Sequence, residues 1–281
     1  MQALTILGPG RHQDDLGLLR SAGLEFPISE TSALDSSAKL IVVLGGDGTI
    51  HRFLTQLIRA KLPVLIVPSG SGNDFASAVG IRSIQHAAEL ARNFIAGASR
   101  LTAIDVGLIR DSEGRETPFC CVAGVGVDAI ACEFANRLPR WMRSHGGYLL
   151  SAMRAVLAAP RLRLRICADQ REIQQDSCLF SFANTPTFGG GLRIAPDAQL
   201  DDGKLDCVLV EALGTFKLMK RAPSLLTGTH LRLKEVSDFR TEKIRLESDP
   251  ATFVYADGEL VCRTPVEVSI LPRALRVLCG A

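Results

Sequence analysis

The sequence predicts an α/β domain with a parallel sheet, followed by a domain that is mainly a β-sandwich. In residues 1–103 short apolar runs alternate with segments of helical periodicity, as in a parallel sheet covered by helices on both faces. From residue 104 to residue 271 many short strand-like runs are separated by Gly, Asp and Pro turns, which is typical of an antiparallel sandwich. We therefore expect two domains, 1–103 and 104–271.

The same patterns assign the elements in order. In the first domain strands are predicted over residues 3–7, 40–44 and 64–67, and helices over residues 14–24, 49–60, 73–79 and 84–95. In the second domain strands are predicted over residues 103–110, 118–122, 162–168, 177–184, 204–210, 243–247, 252–255 and 266–271. A single helix, over residues 148–159, interrupts these strands.

Composition narrows the class of protein. The chain has 281 residues, 47% of them hydrophobic, and a net charge of +2, which is too close to balance for a nucleic-acid-binding protein. Its eight cysteines include no C-x-x-C pair, as expected of reduced thiols. No signal-peptide pattern opens the sequence, and no apolar run is long enough to cross a membrane. We expect a cytoplasmic protein.

Two glycine-rich loops follow consecutive predicted strands: GGDGT at residues 45–49 and PSGSGNDF at residues 68–75. Because parallel strands end at the same edge of a sheet, the two loops should lie close together. Their backbone N–H groups and the hydroxyls of Thr49 and Ser71 could then hold phosphate. Neither loop contains the Walker lysine pattern. A tight turn capped by Asp47 or Thr49 is the alternative.

A third glycine motif, GVGVDA at residues 124–129, satisfies the G-x-G-x-x-A pattern of dinucleotide sites. No acidic residue lies about twenty positions further on, where such sites bind a ribose hydroxyl. We therefore expect a close-packed turn here rather than a nucleotide site.

With both loops in view, the sequence resembles the bacterial diacylglycerol-kinase-like lipid kinases, relatives of sphingosine kinases and, more distantly, of NAD kinases. The resemblance runs in order through GGDGTI (45–50), PSGSGNDFA (68–76), IDVG (104–107), AGVGVDA (123–129), GGGLRIAPDAQLDDGKLD (189–206), DGE (257–259) and ILPRALRVL (270–278). It implies a Rossmann-like, NAD-kinase-like α/β domain, a β-sandwich domain, and ATP in the cleft between them. It also implies that the last residues, about 272–281, return to the first domain.

The resemblance further implies which residues form the site. Those expected to hold the nucleotide are Thr31, Gly45, Gly46, Asp47, Gly48, Thr49, Ile50, His51, Arg52, Gly70, Ser71, Gly72, Asn73 and Asp74. The implied catalytic carboxylates are Asp47, Asp257 and Glu259, and the implied ligands of a structural Mg²⁺ are the Asp202 carboxylate and the backbone carbonyls of Gln199 and Lys204. His51-Arg52 stand where such kinases usually have Asn-Glu, so Arg52 is either a phosphate contact or a solvated helix residue.

Taken by themselves, the acidic motifs have two interpretations. DGE at residues 257–259 lies between two apolar runs, which is a strong hairpin signal, and a hairpin tip can also carry catalytic groups. DDG at residues 201–203 is either a turn or the acidic part of a site for a hard cation such as Mg²⁺.

A basic segment indicates where the protein could meet a lipid. From Phe134 to Ala168 there is no acidic residue, but there are seven arginines, with Trp141 and Tyr148 among them. This composition suits docking on an anionic membrane leaflet. The alternative is a solvated surface whose arginines pair with distant carboxylates.

Together these observations predict an ATP- and Mg²⁺-dependent lipid kinase that transfers the γ-phosphate of ATP to a lipid hydroxyl, such as that of diacylglycerol, at the membrane surface. Two alternatives stay open: a kinase for a soluble acceptor such as NAD, and a relative that binds lipid or nucleotide without turnover. The expected partners are ATP and the lipid, with no nucleic acid, and a homodimer is left open.

Overall fold

The computed structural model describes residues 1–26, 38–70, 72–138, 148–169 and 171–280. The chain forms two compact units: Met1–Ile104 together with Arg273–Ala281, and Asp105–Pro272. Within the described ranges, no helix is both long enough and apolar enough to cross a bilayer.

The first unit is built on a parallel sheet in the order β1-β2-β3-β14. Its strands are β1 (Ala3–Leu7), β2 (Leu40–Gly45), β3 (Val64–Pro68) and the end of β14 (Val266–Leu278). All six residues of β2 and four of the five residues of β3 are buried, as expected of strands covered on both faces. The predicted strands and the parallel sheet are confirmed.

The described residues of this unit form four α-helices: α1 (Gly17–Ser21), α2 (Asp47–Ala60), α3 (Asp74–Ala78) and α4 (Ile84–Ile95). Helix α2 begins at Asp47, two residues before its predicted start, and buries Ile50, Leu54 and Leu57, which share one face. Ser83 caps α4 by accepting a hydrogen bond from the His86 N–H.

The predicted helix over residues 14–24 is wrong in extent. The chain forms a 3₁₀ turn over Gln13–Leu16 before α1, and α1 ends at Ser21. Gly17 weakens a continuous helix, and Gly23 adopts a φ of 93° that no α-helix contains.

The second unit is an antiparallel β structure with the strand order β14-β11-β7-β8-β6-β12-β13, to which β9 and β10 are added beside β8. Its strands are β4 (Leu101–Asp111), β5 (Glu116–Phe119), β6 (Val122–Gly126), β7 (Leu162–Ala168), β8 (Arg171–Ala183), β9 (Leu205–Glu211), β10 (Val236–Thr241), β11 (Lys243–Asp249), β12 (Phe253–Ala256), β13 (Glu259–Arg263) and most of β14. Phe119, Phe180 and Phe182 lie at the centre of its core and meet edge to face.

Helices in this unit are more numerous than the sequence predicted. They are α5 (Val127–Arg137), α6 (Tyr148–Leu157), α7 (Thr215–Arg221) and α8 (Ser224–Thr227), of which only α6 was predicted. Strands β10 and β13 were also missed.

The predicted strand over residues 118–122 is in fact two strands, β5 and β6. The break falls at Cys120 and Cys121, whose N–H groups donate to the carboxylate of Asp257 instead of joining a strand ladder. Because Asp257 is distant from these residues in the sequence, no local sequence pattern predicts the break.

Candidate active site

The two glycine-rich loops of the first unit meet at the carboxyl edge of its sheet, as predicted. Gly45 and Pro68 are in register at the ends of β2 and β3, and the Ser69 N–H donates to the Gly45 carbonyl at 3.1 Å. The loops touch backbone to backbone, because a Cβ on Gly70 would lie 2.5 Å from the Gly46 Cα. No side chain fits at either position, so the motif needs glycine in both loops.

The carboxylate of Asp47 joins the two loops. Its Oδ2 accepts a hydrogen bond from the Asp74 N–H at 3.0 Å and its Oδ1 accepts one from the Phe75 N–H at 3.1 Å. Both donors open α3, where backbone N–H groups have no partner inside the helix. Asp47 therefore holds the second loop against the first, and the catalytic role implied for it stays a prediction.

Asn73 closes the second loop on itself. Its side-chain Oδ1 accepts from the Gly70 N–H at 2.8 Å, and its Nδ2 donates to the Gly70 carbonyl at 2.9 Å. Asn73 has a φ of 61°, a left-handed conformation that Asn tolerates better than most residues. Two of the predicted nucleotide residues, Thr31 and Ser71, lie outside the described residues.

Thr49 and Ile50 lie at the start of α2, and the phosphate contact implied for them stays a prediction. Both side chains are buried, and the N–H groups of both residues donate to the Gly46 carbonyl, at 2.9 and 3.2 Å. A Cβ on Gly45 would lie 2.5 Å from the Thr49 hydroxyl oxygen, so this hydroxyl packs against the end of β2. Gly48 and the turn around Gly70 are the exposed parts of the two loops.

Arg52 is exposed on α2, and a phosphate contact by this residue stays a prediction. Its guanidinium lies 5.6 Å from the centre of the Phe53 ring. His51 is half-buried on the same helix.

A cation that sequence reasoning missed reaches the second loop. Arg11 follows the loop after β1, and its Nη2 donates to the Ser69 carbonyl at 2.5 Å. The same loop is tied to the sheet edge by a hydrogen bond of 2.8 Å from the Gly8 N–H to the Leu44 carbonyl. Arg11 and Ser69 are fifty-eight positions apart, and no motif links them.

In the second unit, the predicted hairpin at DGE is present. Asp257 and Gly258, with φ values of 49° and 87°, form the two-residue turn between β12 and β13. The Asp257 carboxylate accepts from the N–H groups of Cys120 and Cys121 at 2.9 and 2.7 Å. Asp257 thus anchors the turn, while the side chain of Glu259 is exposed.

Helix α5 packs against this hairpin and carries a buried carboxyl group. Asn136 donates from its Nδ2 to the Gly258 carbonyl at 2.7 Å. In the first turn of α5, Asp128 is buried. The Ser181 hydroxyl donates to its Oδ2, and its Oδ1 has no hydrogen-bond partner within the described part of the chain. Burial raises the pKa of Asp128 to about 7.

Cys132, on the same helix, confirms that acidic groups cluster here. Burial, followed by the negative charges of Asp128, Glu259 and Asp257, raises the pKa of its thiol to about 12. A thiol with so high a pKa stays protonated at neutral pH.

The glycine motif at 124–129 is close-packed, as expected, but it is not a turn. It joins β6 to α5, and a Cβ on Gly126 would lie 2.2 Å from the Cys178 carbonyl oxygen. A Cβ on Gly124 would lie 2.7 Å from the Asp128 Oδ2, so the glycine leaves room for the buried carboxyl group.

The implied Mg²⁺ ligands share one loop, in which a guanidinium lies beside two carboxylates. The Asp202 carboxylate accepts from the Lys204 N–H at 3.0 Å and lies 3.7 Å from a guanidinium nitrogen of Arg240, whose Nε donates to Asp206 at 2.9 Å. No group of three or more His, Cys, Asp or Glu side chains among the described residues could hold a metal ion. Arg240 is the cation at these carboxylates, and ligation by Gln199, Asp202 and Lys204 stays a prediction.

The arginines of the basic segment are mostly paired, which supports the alternative interpretation of that segment. Of the five that the structure describes, four form ion pairs: Arg137 with Glu133, Arg161 and Arg163 with Asp176, and Arg165 with Glu172. Trp141 lies outside the described residues.

Comparisons with known proteins agree with this architecture. The diacylglycerol kinase catalytic domain matches residues 25–109, and the YegS C-terminal NAD kinase beta sandwich-like domain matches residues 121–279. A diacylglycerol kinase of Mycobacterium tuberculosis is 34% identical over 248 residues, which are 88% of this chain and 79% of that protein. A diacylglycerol kinase of Bacillus subtilis is 27% identical over 246 residues, 85% of this chain and 77% of that protein.

Solved structures share the fold. A Bacillus anthracis protein described as a diacylglycerol kinase superposes with a TM-score of 0.76 at 22% identity, over 99% of this chain and 97% of its own. An NAD kinase from Archaeoglobus fulgidus, solved in complex with ATP, gives a TM-score of 0.55 at 15% identity, over 100% and 94% of the two chains.

The α/β domain and the NAD-kinase-like β-sandwich define the class predicted from the sequence, a kinase of two unlike domains. Within that class, the chain belongs to the diacylglycerol kinase family of lipid kinases.

Proposed function

We propose that this protein uses ATP to phosphorylate the free hydroxyl of diacylglycerol. The observation that carries the proposal is the pair of interlocked glycine loops at the end of β2 and β3, in a chain that is 34% identical to a diacylglycerol kinase. Such loops can bring backbone N–H groups to phosphate oxygens without a Walker lysine.

The first unit would hold the nucleotide. Backbone groups around Gly46, Gly48 and Gly70 would line the phosphates, with Asp47 fixing the distance between the loops. Arg11, whose guanidinium already reaches the second loop, would add a positive charge near the phosphates.

The two acidic residues of the hairpin, Asp257 and Glu259, would have different roles. Asp257 is committed to two backbone N–H groups and would position the turn, whereas Glu259 is exposed and could accept a proton. In the transfer, the lipid hydroxyl oxygen would form a bond to the γ-phosphorus as its proton passes to the Glu259 carboxylate. The bond from that phosphorus to the bridging oxygen would break, releasing ADP.

Mg²⁺ would enter as the companion of ATP and neutralise charge on the phosphate oxygens. We assign it no protein ligand, and none of the steps above passes through a protein-bound metal.

The test is transfer of radiolabelled phosphate from ATP to lipid by the purified protein. Diacylglycerol, a sphingoid base and a prenol in mixed micelles, and NAD in solution, would be compared at equal concentration. We expect labelled lipid with diacylglycerol and little label elsewhere. Labelled NAD would select the soluble-acceptor alternative, and ATP binding by calorimetry without any labelled product would select the relative without turnover.

A further inference from the structure

Three large apolar side chains of helix α6 point to solvent. Leu150, Met153 and Leu157 are 46%, 59% and 61% exposed, and their spacing places them on one side of the helix. Among the described side chains of this helix, the buried ones are the smaller Ser151, Ala155 and Val156. In an ordinary surface helix the large apolar residues face the protein.

Helix α7, which packs against α6, has the same property in a stronger form. None of its seven residues is buried, and Phe216 and Met219 are 78% and 45% exposed. Helix α8, which follows it, also buries no residue. We call the exposed side chains of the two neighbouring helices the apolar patch: Leu150, Met153, Leu157, Phe216 and Met219. Exposed clusters of this kind mark interaction surfaces.

The charged residues of α7 are all basic, and one of them, Arg221, pairs with Glu235 at 3.6 Å. Residues 212–234 contain no Asp or Glu, and the exposed Lys217 and Lys220 alternate with Phe216 and Met219 along the helix. No salt bridge in the described part of the chain reaches either lysine, in contrast to the paired arginines of the neighbouring strands. On α6, Arg154 adds a further cation, which lies over the Phe134 ring.

This chemistry disfavours a second copy of the chain as the occupant. In a two-fold dimer the patch would face itself, so that Lys217 and Lys220 would approach their own equivalents, while Glu235, the carboxylate beside α7, already pairs with Arg221. An anionic lipid leaflet satisfies both features at once, because its acyl region takes apolar side chains and its headgroups attract lysine.

We propose that the apolar patch, with Lys217 and Lys220, is the surface by which this protein docks on an anionic phospholipid bilayer. The inference deepens the proposed function, on which it rests for its purpose, since docking would bring the kinase to a membrane-borne acceptor.

The experiment is co-sedimentation of the full chain with phosphatidylcholine vesicles, with and without phosphatidylglycerol, in the absence of ATP and diacylglycerol. One double variant, Phe216→Ser with Met219→Ser, removes apolar area. A second, Lys217→Glu with Lys220→Glu, reverses charge. The matched controls lie in the first unit: Leu18→Ser, at a side chain that is 46% exposed, and Arg82→Glu with Arg92→Glu, which changes the net charge by the same amount.

We expect the wild type to bind only the anionic vesicles and to release them at high salt. Each lysine near the leaflet contributes about fivefold in partitioning, so the charge-reversed variant should lose on the order of a hundredfold, and the serine variant a similar factor. Both control variants should bind as the wild type does, and all variants should keep the wild-type melting temperature because α7 buries nothing.

Three results would overturn the docking proposal: no binding of anionic vesicles by the wild type, unchanged binding by both patch variants, or a solution dimer that the Phe216/Met219 variant dissociates in sedimentation. A separate assay on short-chain, water-dispersed diacylglycerol distinguishes failure of docking from failure of the proposed function. Vesicle binding without any turnover would contradict the kinase proposal alone, whereas turnover without vesicle binding would contradict the docking proposal alone.

Discussion

Replacing Asp128 by Asn should change how the stability of the protein depends on pH. Burial raises the pKa of this carboxyl from 3.8 to about 7, so folding holds it protonated over a range in which the unfolded chain ionises it. When folding raises the pKa of a group, the free energy of unfolding is highest below the pKa of the unfolded chain. It falls as the pH rises from that pKa to the pKa of the folded protein. The resulting loss in the free energy of unfolding grows from zero at low pH to about 4 kcal/mol above pH 7.

Between pH 5 and pH 8 this carboxyl alone should lower the free energy of unfolding of the wild type by about 2.5 kcal/mol. Asp128→Asn keeps the shape of the side chain and a partner for the Ser181 hydroxyl but cannot ionise. The free energy of unfolding of the variant relative to the wild type should therefore rise by about that amount over the same interval.

The assay is urea unfolding of both proteins at several pH values, with the exposed Asp238→Asn as the control. Asp238→Asn should follow the wild type at every pH. A constant difference between Asp128→Asn and the wild type from pH 5 to pH 8 would refute the reasoning, because it would mean that Asp128 has an ordinary pKa when folded.

Two further substitutions test the loops. Gly70→Ala should abolish ATP binding in calorimetry, since the new Cβ would lie 2.5 Å from the Gly46 Cα. The control, Gly17→Ala, should bind ATP as the wild type does, because its Cβ meets nothing within 4 Å. Equal ATP binding by both variants would refute the interlocked geometry. Chelation by EDTA should leave the melting temperature unchanged, because Arg240 already balances the carboxylates of its loop, while Arg240→Ala should cost about 1 kcal/mol given that its partly exposed ion pairs are screened. A large fall in melting temperature on chelation of the wild type would instead support bound Mg²⁺ there.

The parts of the fold that sequence patterns predicted are those with local causes. The buried runs of β2 and β3 are continuous in sequence, and the glycine loops must follow them at one sheet edge, so the meeting of Gly46 and Gly70 could be anticipated. The hairpin at Asp257 and Gly258 was equally readable, because two residues between two strands decide it.

What the sequence did not predict depends on contacts between distant residues. The Asp257 carboxylate accepts from the N–H groups at the break between β5 and β6, which are 136 and 137 positions away in the sequence. Arg11 donates to the Ser69 carbonyl, fifty-eight positions away. The burial of Asp128 depends on a Ser181 hydroxyl and a glycine in two different strands. The exposure of α7 is also invisible in its composition, since Phe216 and Met219 would suit a core as well as a surface.

The central claim, that Glu259 activates a lipid hydroxyl for attack on ATP, is tested most directly by the transfer rate of Glu259→Gln. With saturating ATP and diacylglycerol in micelles, we predict that this variant binds ATP with the wild-type dissociation constant and loses about 10²- to 10⁴-fold in kcat, the usual contribution of a general base. A kcat for Glu259→Gln within a few-fold of the wild-type value would contradict the account.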